Sequence, residues 1–220
     1  MLELNNLYNM DCMAGMKEFP DRYFDLAIVD PPYYSDVNRL HYYGKGVSKT
    51  GVERQEYKKF DYWEIPGQTY YDELCRVSKE QIIWGINYYD FRNVSPGRIV
   101  WDKKITIKGS FSDCEIASCS LIRTVRKFEY QWSGFLQGDM RNREKRIHPT
   151  QKPIKLYERI LLQYASPGDK ILDTHVGSAS SLIACYNMGI DYIGFEIDKY
   201  YYEKAQERIA EHQAQLRFEV

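Results

Sequence analysis

The chain has 220 residues, 44% of them hydrophobic and 28% charged, and a formal net charge of −1: enough for one substantial core with insertions, in the range of a soluble globular protein. A charge so near zero excludes a general polycation, so any contact with nucleic acid has to come from a locally basic surface. The five cysteines form no Cys-x-x-Cys pair, and the sequence shows neither an apolar leader nor a long apolar run. The expectation is reduced thiols, no membrane span and a cytoplasmic location.

In chain order, Phe24 to Val29 is a short apolar run stopped by Asp30-Pro31-Pro32, as a buried strand with Asp30 at its carboxyl end would be. Residues 34–67 lose periodicity and contain Gly44, Gly46, Gly51 and Gly67, a stretch far longer than an ordinary connection and therefore a functional or mobile loop. The pattern then predicts a helix over 68–79 and strands over 81–85, 98–101 and 114–121. Residues 122–147 are polar, charged and poor in periodicity, which predicts a loop or small insertion. Tyr157, Ile160, Leu161 and Tyr164 mark one face of a helix with Pro153 in its first turn and Pro167-Gly168 at its end. Lys170 to Asp173 reads as a strand, Ser180 to Met188 as a helix ended by Gly189, and Asp191 to Glu196 as another strand. Asp198 caps a final helix running towards Arg217, with Ala205, Ile209 and Leu216 on its inner stripe. The alternation predicts an α/β fold: a single Rossmann-like domain over 1–220, its mostly parallel central sheet flanked by helices.

In such a sheet, ligands bind outside the carboxyl ends of the strands, where Asp30, Asp173 and Glu196 are all expected. Asp173 and Glu196 stand about twenty residues apart, the interval between a nucleoside-binding loop and the acid that holds ribose hydroxyls. Glu196 is therefore the expected ribose ligand, although both acids also suit helix caps. The loop Asp173-Thr174-His175-Val176-Gly177-Ser178-Ala179-Ser180 has a single glycine, too few for the close backbone approach a dinucleotide pyrophosphate needs. A cofactor with a ribose and an amino-acid tail but no phosphate, such as S-adenosylmethionine, fits better.

Asp30-Pro31-Pro32-Tyr33 supplies a matching chemistry. The amino group of adenine or cytosine is a poor nucleophile because its lone pair is delocalised into the ring. If the Asp30 carboxylate and the Pro31 carbonyl each accept one amino hydrogen, the nitrogen is drawn towards tetrahedral geometry and its lone pair can face a sulfonium methyl. Proline stiffness at 31 and 32 fixes the acceptors. Tyr33 would stack on the base, which has to leave the duplex to reach such a pocket. The scheme needs no metal.

These motifs resemble the amino-methyltransferase family of DNA modification enzymes, in the subgroup whose catalytic motif precedes the cofactor motif. The resemblance extends to Asn9-Met10-Asp11-Cys12, which implies that Asp11 and Cys12 lie near the cofactor's adenine. It extends also to His148-Pro149-Thr150-Gln151-Lys152-Pro153, implying that His148, Thr150 and Lys152 meet the cofactor's amino-acid end, and to Tyr192 through Asp198, with Glu196 as the ribose acid and Ile197 in the cofactor set. Asp30, Asp173, Thr174, His175, Gly177 and Ser178 complete the cofactor set. Thr174, His175 and Ala179 depart from the family's usual proline, phenylalanine and second glycine. His175 either packs as an ordinary buried histidine or takes that phenylalanine's place beside cofactor and base.

The resemblance implies methylation of adenine N6 in DNA, expected to be double-stranded, since an Asp first in the motif favours adenine. Cytosine N4, protein glutamine, or a non-catalytic subunit that keeps the fold are the alternatives. A cytosine C5 enzyme would need a nucleophilic cysteine, conventionally after proline, and none of the five follows one. Lys45, Lys49, Arg54, Lys58 and Lys59 interleave with aromatics after the catalytic motif, and Arg141, Arg143, Lys145 and Arg146 precede the His148 segment. Both are candidate phosphate contacts, or else solvated loops. A homodimer or a partner chain would add DNA-reading surface.

Overall fold

The computed structural model describes residues 1–33, 56–61, 63–105, 112–133 and 136–217. Its strands are β1 (Asn6–Asn9), β2 (Phe24–Val29), β3 (Ser78–Trp84), β4 (Arg98–Asp102), β5 (Cys114–Cys119), β6 (Val125–Glu129), β7 (Trp132–Ser133), β8 (Leu136–Gln137), β9 (Lys170–Asp173) and β10 (Asp191–Glu196). The helices are α1 (Cys12–Lys17), α2 (Gln68–Val77), α3 (Ile154–Tyr164), α4 (Ser180–Met188) and α5 (Lys199–Arg217). Among the described residues, eight strands form one sheet in the order β1-β10-β9-β2-β3-β5-β4-β6. The first five run parallel, β5 is antiparallel to both of its neighbours, and β7 pairs with β8 in a separate ribbon.

Helices cover both faces, so the central strands have no solvent side and read as continuous apolar runs. Leu26 and Ile28 of β2 pack with Leu156, Ile160 and Leu161 of α3, Leu182 of α4 and Ala205 of α5. Their neighbours Ala27 and Val29 point the other way, to Met16 of α1 and to Tyr70, Leu74 and Val77 of α2. The mostly parallel α/β architecture expected from the sequence is present, with α3 capped by Pro153, α4 ended by Gly189 in left-handed backbone, and the Asp198 carboxylate accepting from Tyr200 N at 2.9 Å. The side chain of Leu216 lies outside the described residues.

Three stretches differ from expectation. The first seventeen residues hold β1 and α1, which are too short to show a period. α2 stops at Val77 and β3 starts at Ser78, because the Ser78 hydroxyl caps the helix at Leu74 O while the chain turns straight into the sheet. Within 122–147, expected to be a loop or small insertion, β6 joins the main sheet beside β4. As an edge strand it buries only Phe128 and keeps Arg126, Lys127 and Glu129 in solvent, so it carries no apolar signal and its charges discourage further pairing. Of the 34–67 stretch, residues 34–55 and 62 lie outside the described set.

No described helix is long and apolar enough to cross a membrane. All five cysteines are free.

Gly97 leads into β4 where a Cβ would sit 2.2 Å from Ile122 O and 2.4 Å from Cys119 O, both backbone atoms. Gly97→Ala is expected to lower unfolding free energy by about 1–3 kcal/mol in urea denaturation, whereas Gly67→Ala, with nothing within 4 Å, should change it little. Equal stability of the two variants would contradict this packing.

Candidate active site

The chain leaves β9 in one direction across the sheet and β2 in the other, and these two strands are neighbours. The crevice at such a switch point lies beyond the strands' carboxyl ends. There a cavity of about 840 Å³, part of it open to solvent, is lined by Asp11 and Cys12 after β1, Asp30 and Pro32 after β2, the 174–178 loop after β9, and Glu196 and Ile197 at the end of β10. His148, Thr150 and Lys152, just before α3, close one wall, and Phe60, Trp63 and Glu64 close another.

Asp30 stands at one end of a largely buried charge cluster. The Lys152 ammonium, its side chain 2% exposed, pairs with Asp30 Oδ2 and lies 2.9 Å from Glu115 Oε2. Lys103 Nζ pairs with Glu115 Oε1 at 2.6 Å, and the Lys152 ammonium also lies 5.5 Å from the Trp84 ring centre. Burial raises the Asp30 carboxyl and Lys152 opposes that rise. Burial also works against charge on Glu115, but the two lysines outweigh it and hold that carboxyl down to about 2. Asp30 Oδ1 is buried and has no hydrogen-bond partner among the described residues.

The adjoining backbone is held as firmly. Tyr89 Oη donates to Pro31 O at 2.6 Å and to Pro32 O at 3.2 Å. Tyr33 does not line the cavity: its ring stacks on Tyr88, centroids 4.8 Å apart. It lies over Gly85, where a Cβ would come within 2.6 Å of it.

In the 173–180 loop, Asp173 turns away from the cavity. Its Oδ1 accepts from His175 N at 3.0 Å and its Oδ2 from the Ser181 hydroxyl, and burial pushes its carboxyl up to about 6. Thr174 and His175 line the cavity and are joined at 2.9 Å, while Tyr70 Oη meets Thr174 Oγ1 at 2.6 Å. Burial lowers His175 to about 3, so its imidazole is neutral. Gly177 and Ala179 both have positive φ, 53° and 62°, and Ala179 is the position where the sequence departs from a glycine. An L-residue in that region is strained by about 1–2 kcal/mol. Arg208 of α5 braces the loop, donating to Ser178 O at 2.6 Å and to Ser180 Oγ at 2.9 Å while pairing with Glu144 at 2.7 Å.

Glu196 faces the cavity with Oε2 accepting from Gly177 N at 2.8 Å and Oε1 from Asp198 N at 2.9 Å. Burial raises its carboxyl to about 7. Asp11 caps α1 through Ala14 N at 3.0 Å. The Cys12 thiol is pushed up to about 12, by burial and then by Asp11, so it is no ready nucleophile.

His148 is buried between Phe60 and Tyr201, centroids 5.2 and 4.6 Å away, and burial, with Arg146 and Lys152, lowers it to about 3. Tyr201 Oη donates to Lys58 O at 2.6 Å and so ties residues 58–60 to the start of α5. Of the basic candidates, Lys45, Lys49 and Arg54 lie outside the described residues. Lys58 is engaged by Asp61 at 2.5 Å and Asp198 at 3.4 Å. Arg146 donates to Pro149 O at 2.6 Å and lies 5.9 Å from the Tyr57 ring centre, whereas Lys59, Arg141, Arg143 and Lys145 are exposed. Among the described residues no group of three or more His, Cys, Asp or Glu is placed to hold a metal ion.

Sequence reasoning missed Glu115, Lys103, Tyr89 and Arg208. None stands in a motif, and only the fold brings them against the residues that line the crevice or against those residues' partners.

The family described as N6/N4 DNA methylase matches residues 45–207. The Type II methyltransferase M.HpaI of Haemophilus parainfluenzae is 43% identical over 68 residues, which span 31% of this chain and 22% of that protein. The Type II methyltransferase M.HinfI of Haemophilus influenzae is 24% identical over 250 aligned residues, spanning 94% of this chain and 69% of M.HinfI. The crystal structure of the M1.HpyAVI–SAM complex shares the fold at a TM-score of 0.58 and 21% identity, covering 92% of this chain and 98% of that one. With well over half of its length matched, the chain belongs to the N6/N4 DNA methylase family.

Proposed function

We propose that this DNA methylase transfers a methyl group from S-adenosylmethionine to N6 of an adenine turned out of double-stranded DNA. The observation that carries the reading is Asp30 Oδ1, a buried acceptor without a partner among the described residues, beside a cavity whose lining also holds Glu196. A buried acceptor left unpaired costs about 1–3 kcal/mol, so the position suits a ligand that brings a donor. An exocyclic amino group is such a donor, and accepting one of its hydrogens localises the nitrogen lone pair. The Pro31 carbonyl already accepts from Tyr89 but has a second lone pair for the other hydrogen.

S-adenosylmethionine is the methyl donor of the family, and the donor set of the cavity fits it. Glu196 offers a carboxylate to ribose hydroxyls, Met10 and Phe195 an apolar wall to the purine, and Thr150, Thr174 and Ser178 hydroxyls to the amino-acid end. When bound, it supplies an electrophilic methyl carbon whose bond to sulfur breaks, the pair passing to sulfur, as the bond to nitrogen forms. Asp30 orients the amine, and the proton the nitrogen sheds passes to solvent through the open side of the cavity. Lys152 and the neutral His148 serve as walls and braces rather than proton carriers, since the ammonium is held by two carboxylates. Asp173 acts through the loop it ties. Tyr33, stacked on Tyr88, would have to turn to reach a base. Exposed Lys59, Arg141, Arg143 and Lys145 are the described candidates for phosphate contacts.

Incubation with methyl-labelled cofactor and unmethylated duplex DNA, followed by nucleoside analysis, is expected to give N6-methyladenine, and Asp30→Ala to abolish it. N4-methylcytosine would change the substrate base, and no incorporation would remove the enzymatic reading.

For Glu196, carboxyl-carbon NMR of the cofactor-free protein should find one glutamate titrating at about 7. Ribose hydroxyl donors favour the ionised form, so saturating cofactor should move that midpoint down, and Glu196→Gln should delete it. A midpoint that ignores the cofactor would take Glu196 out of the site.

A further inference from the structure

β5 runs antiparallel to β3 and β4, so its first residues lie at the sheet edge where the parallel strands end. That reversal carries Glu115 to the crevice from a part of the chain with no cofactor or catalytic motif. β4 pairs Trp101 with Glu115, and Lys103 N donates to Asp113 O at 3.0 Å. The hairpin thus fixes both Glu115 and Lys103 relative to Trp84 on β3. The Lys152 ammonium is held between Glu115 Oε2 at 2.9 Å, Asp30 Oδ2 and the Trp84 ring. Two carboxylates and two ammoniums alternate in the order Lys103, Glu115, Lys152, Asp30, and the last carboxylate has an oxygen to spare.

We propose that Glu115, backed by Lys103, is a positioning residue for methyl transfer: by anchoring the Lys152 ammonium from behind, it confines that cation to one oxygen of Asp30 and keeps the other open to the substrate amine. The proposal rests on the reading of Asp30 as the acceptor of the amino group. An ammonium has three donors and no fixed direction. Without Glu115, the two acidic oxygens of Asp30 become its only carboxylate partners among those that hold it now, and Lys152 would be drawn across both. The chain needs a lysine here to neutralise buried Asp30, and it needs a second anion to keep that lysine off the working oxygen.

Charge makes the proposal separable from a merely structural role. The groups that face Asp30 are Lys152 ahead of α3, Glu115 on β5, Lys103 after β4, Tyr89 after β3, Tyr157 on α3 and Asp173 at the end of β9. Glu115 raises the Asp30 carboxyl and Lys103 lowers it. Turnover requires the carboxylate and falls as pH drops through its titration, so removing the two groups shifts this acid limb in opposite directions.

The experiment compares kcat–pH profiles of the full chain on one duplex, together with calorimetric cofactor affinity, for wild type, Glu115→Gln, Glu115→Asp and Lys103→Gln. Glu115→Gln should lose about tenfold or more in kcat, the scale of a misplaced catalytic contact, with cofactor affinity unchanged and the acid limb at lower pH. Glu115→Asp should recover part of the rate, and Lys103→Gln should move the limb to higher pH. Wild-type kcat and an unmoved limb in folded Glu115→Gln would overturn the proposal. If that variant does not fold, an unmoved or downward limb in Lys103→Gln overturns it equally. Wild-type turnover in Asp30→Asn would instead overturn the reading of Asp30 itself, and the proposal with it.

Discussion

The Lys152 ammonium, shut in between the Asp30 and Glu115 carboxylates and the face of Trp84, ties together parts of the chain that are otherwise far apart. Asp30 follows β2, Glu115 is the second residue of β5, Trp84 ends β3 and Lys152 leads into α3. Removing one member of such a buried pairing leaves an uncompensated charge, a loss of about 3–5 kcal/mol. With Lys103 after β4 pairing Glu115, the four charges balance only when all these elements are docked. The same condition that completes the fold therefore sets the electrostatics around Asp30 Oδ1, which has no hydrogen-bond partner among the described residues.

The second half of the crevice is organised by backbone rather than by charge. The loop after β9 makes two left-handed residues, Gly177 and Ala179, and so aims Gly177 N–H at Glu196. Asp173, Ser181 and Arg208 hold it in that shape. Burial leaves Glu196 poised near neutrality, at about 7, so its ionisation responds to whatever donors a ligand brings. One wall holds a fixed anion next to a fixed cation, while the other holds an acid whose charge a ligand can settle.

Local signals made much of this legible. Apolar runs stopped by Asp-Pro-Pro, by Asp173 and by Glu196 placed three acids at strand ends, and the spacing of Tyr157, Ile160 and Leu161 placed α3. Asp173 reached the crevice only as a brace, because spacing along the chain says nothing of which way a carboxylate turns. Lys152 was legible as a site residue but not in its role, since its partner Glu115 lies in a strand whose sequence, Cys-Glu-Ile-Ala-Ser-Cys, carries no motif. β6 escaped because an edge strand needs no apolar face, and Tyr89 because its hydroxyl meets Pro31 only after α2 and β3 have folded back beside β2.

The most direct test of the central claim is a crystal structure of the protein with a duplex substrate and a cofactor analogue that has no methyl to transfer. The expected result is an adenine outside the duplex stack with its N6 at about 3 Å from Asp30 Oδ1, while Lys152 still bridges Asp30 Oδ2 and Glu115. A base whose amino group meets neither Asp30 nor the Pro31 carbonyl, or an Oδ1 occupied by Lys152, would contradict it.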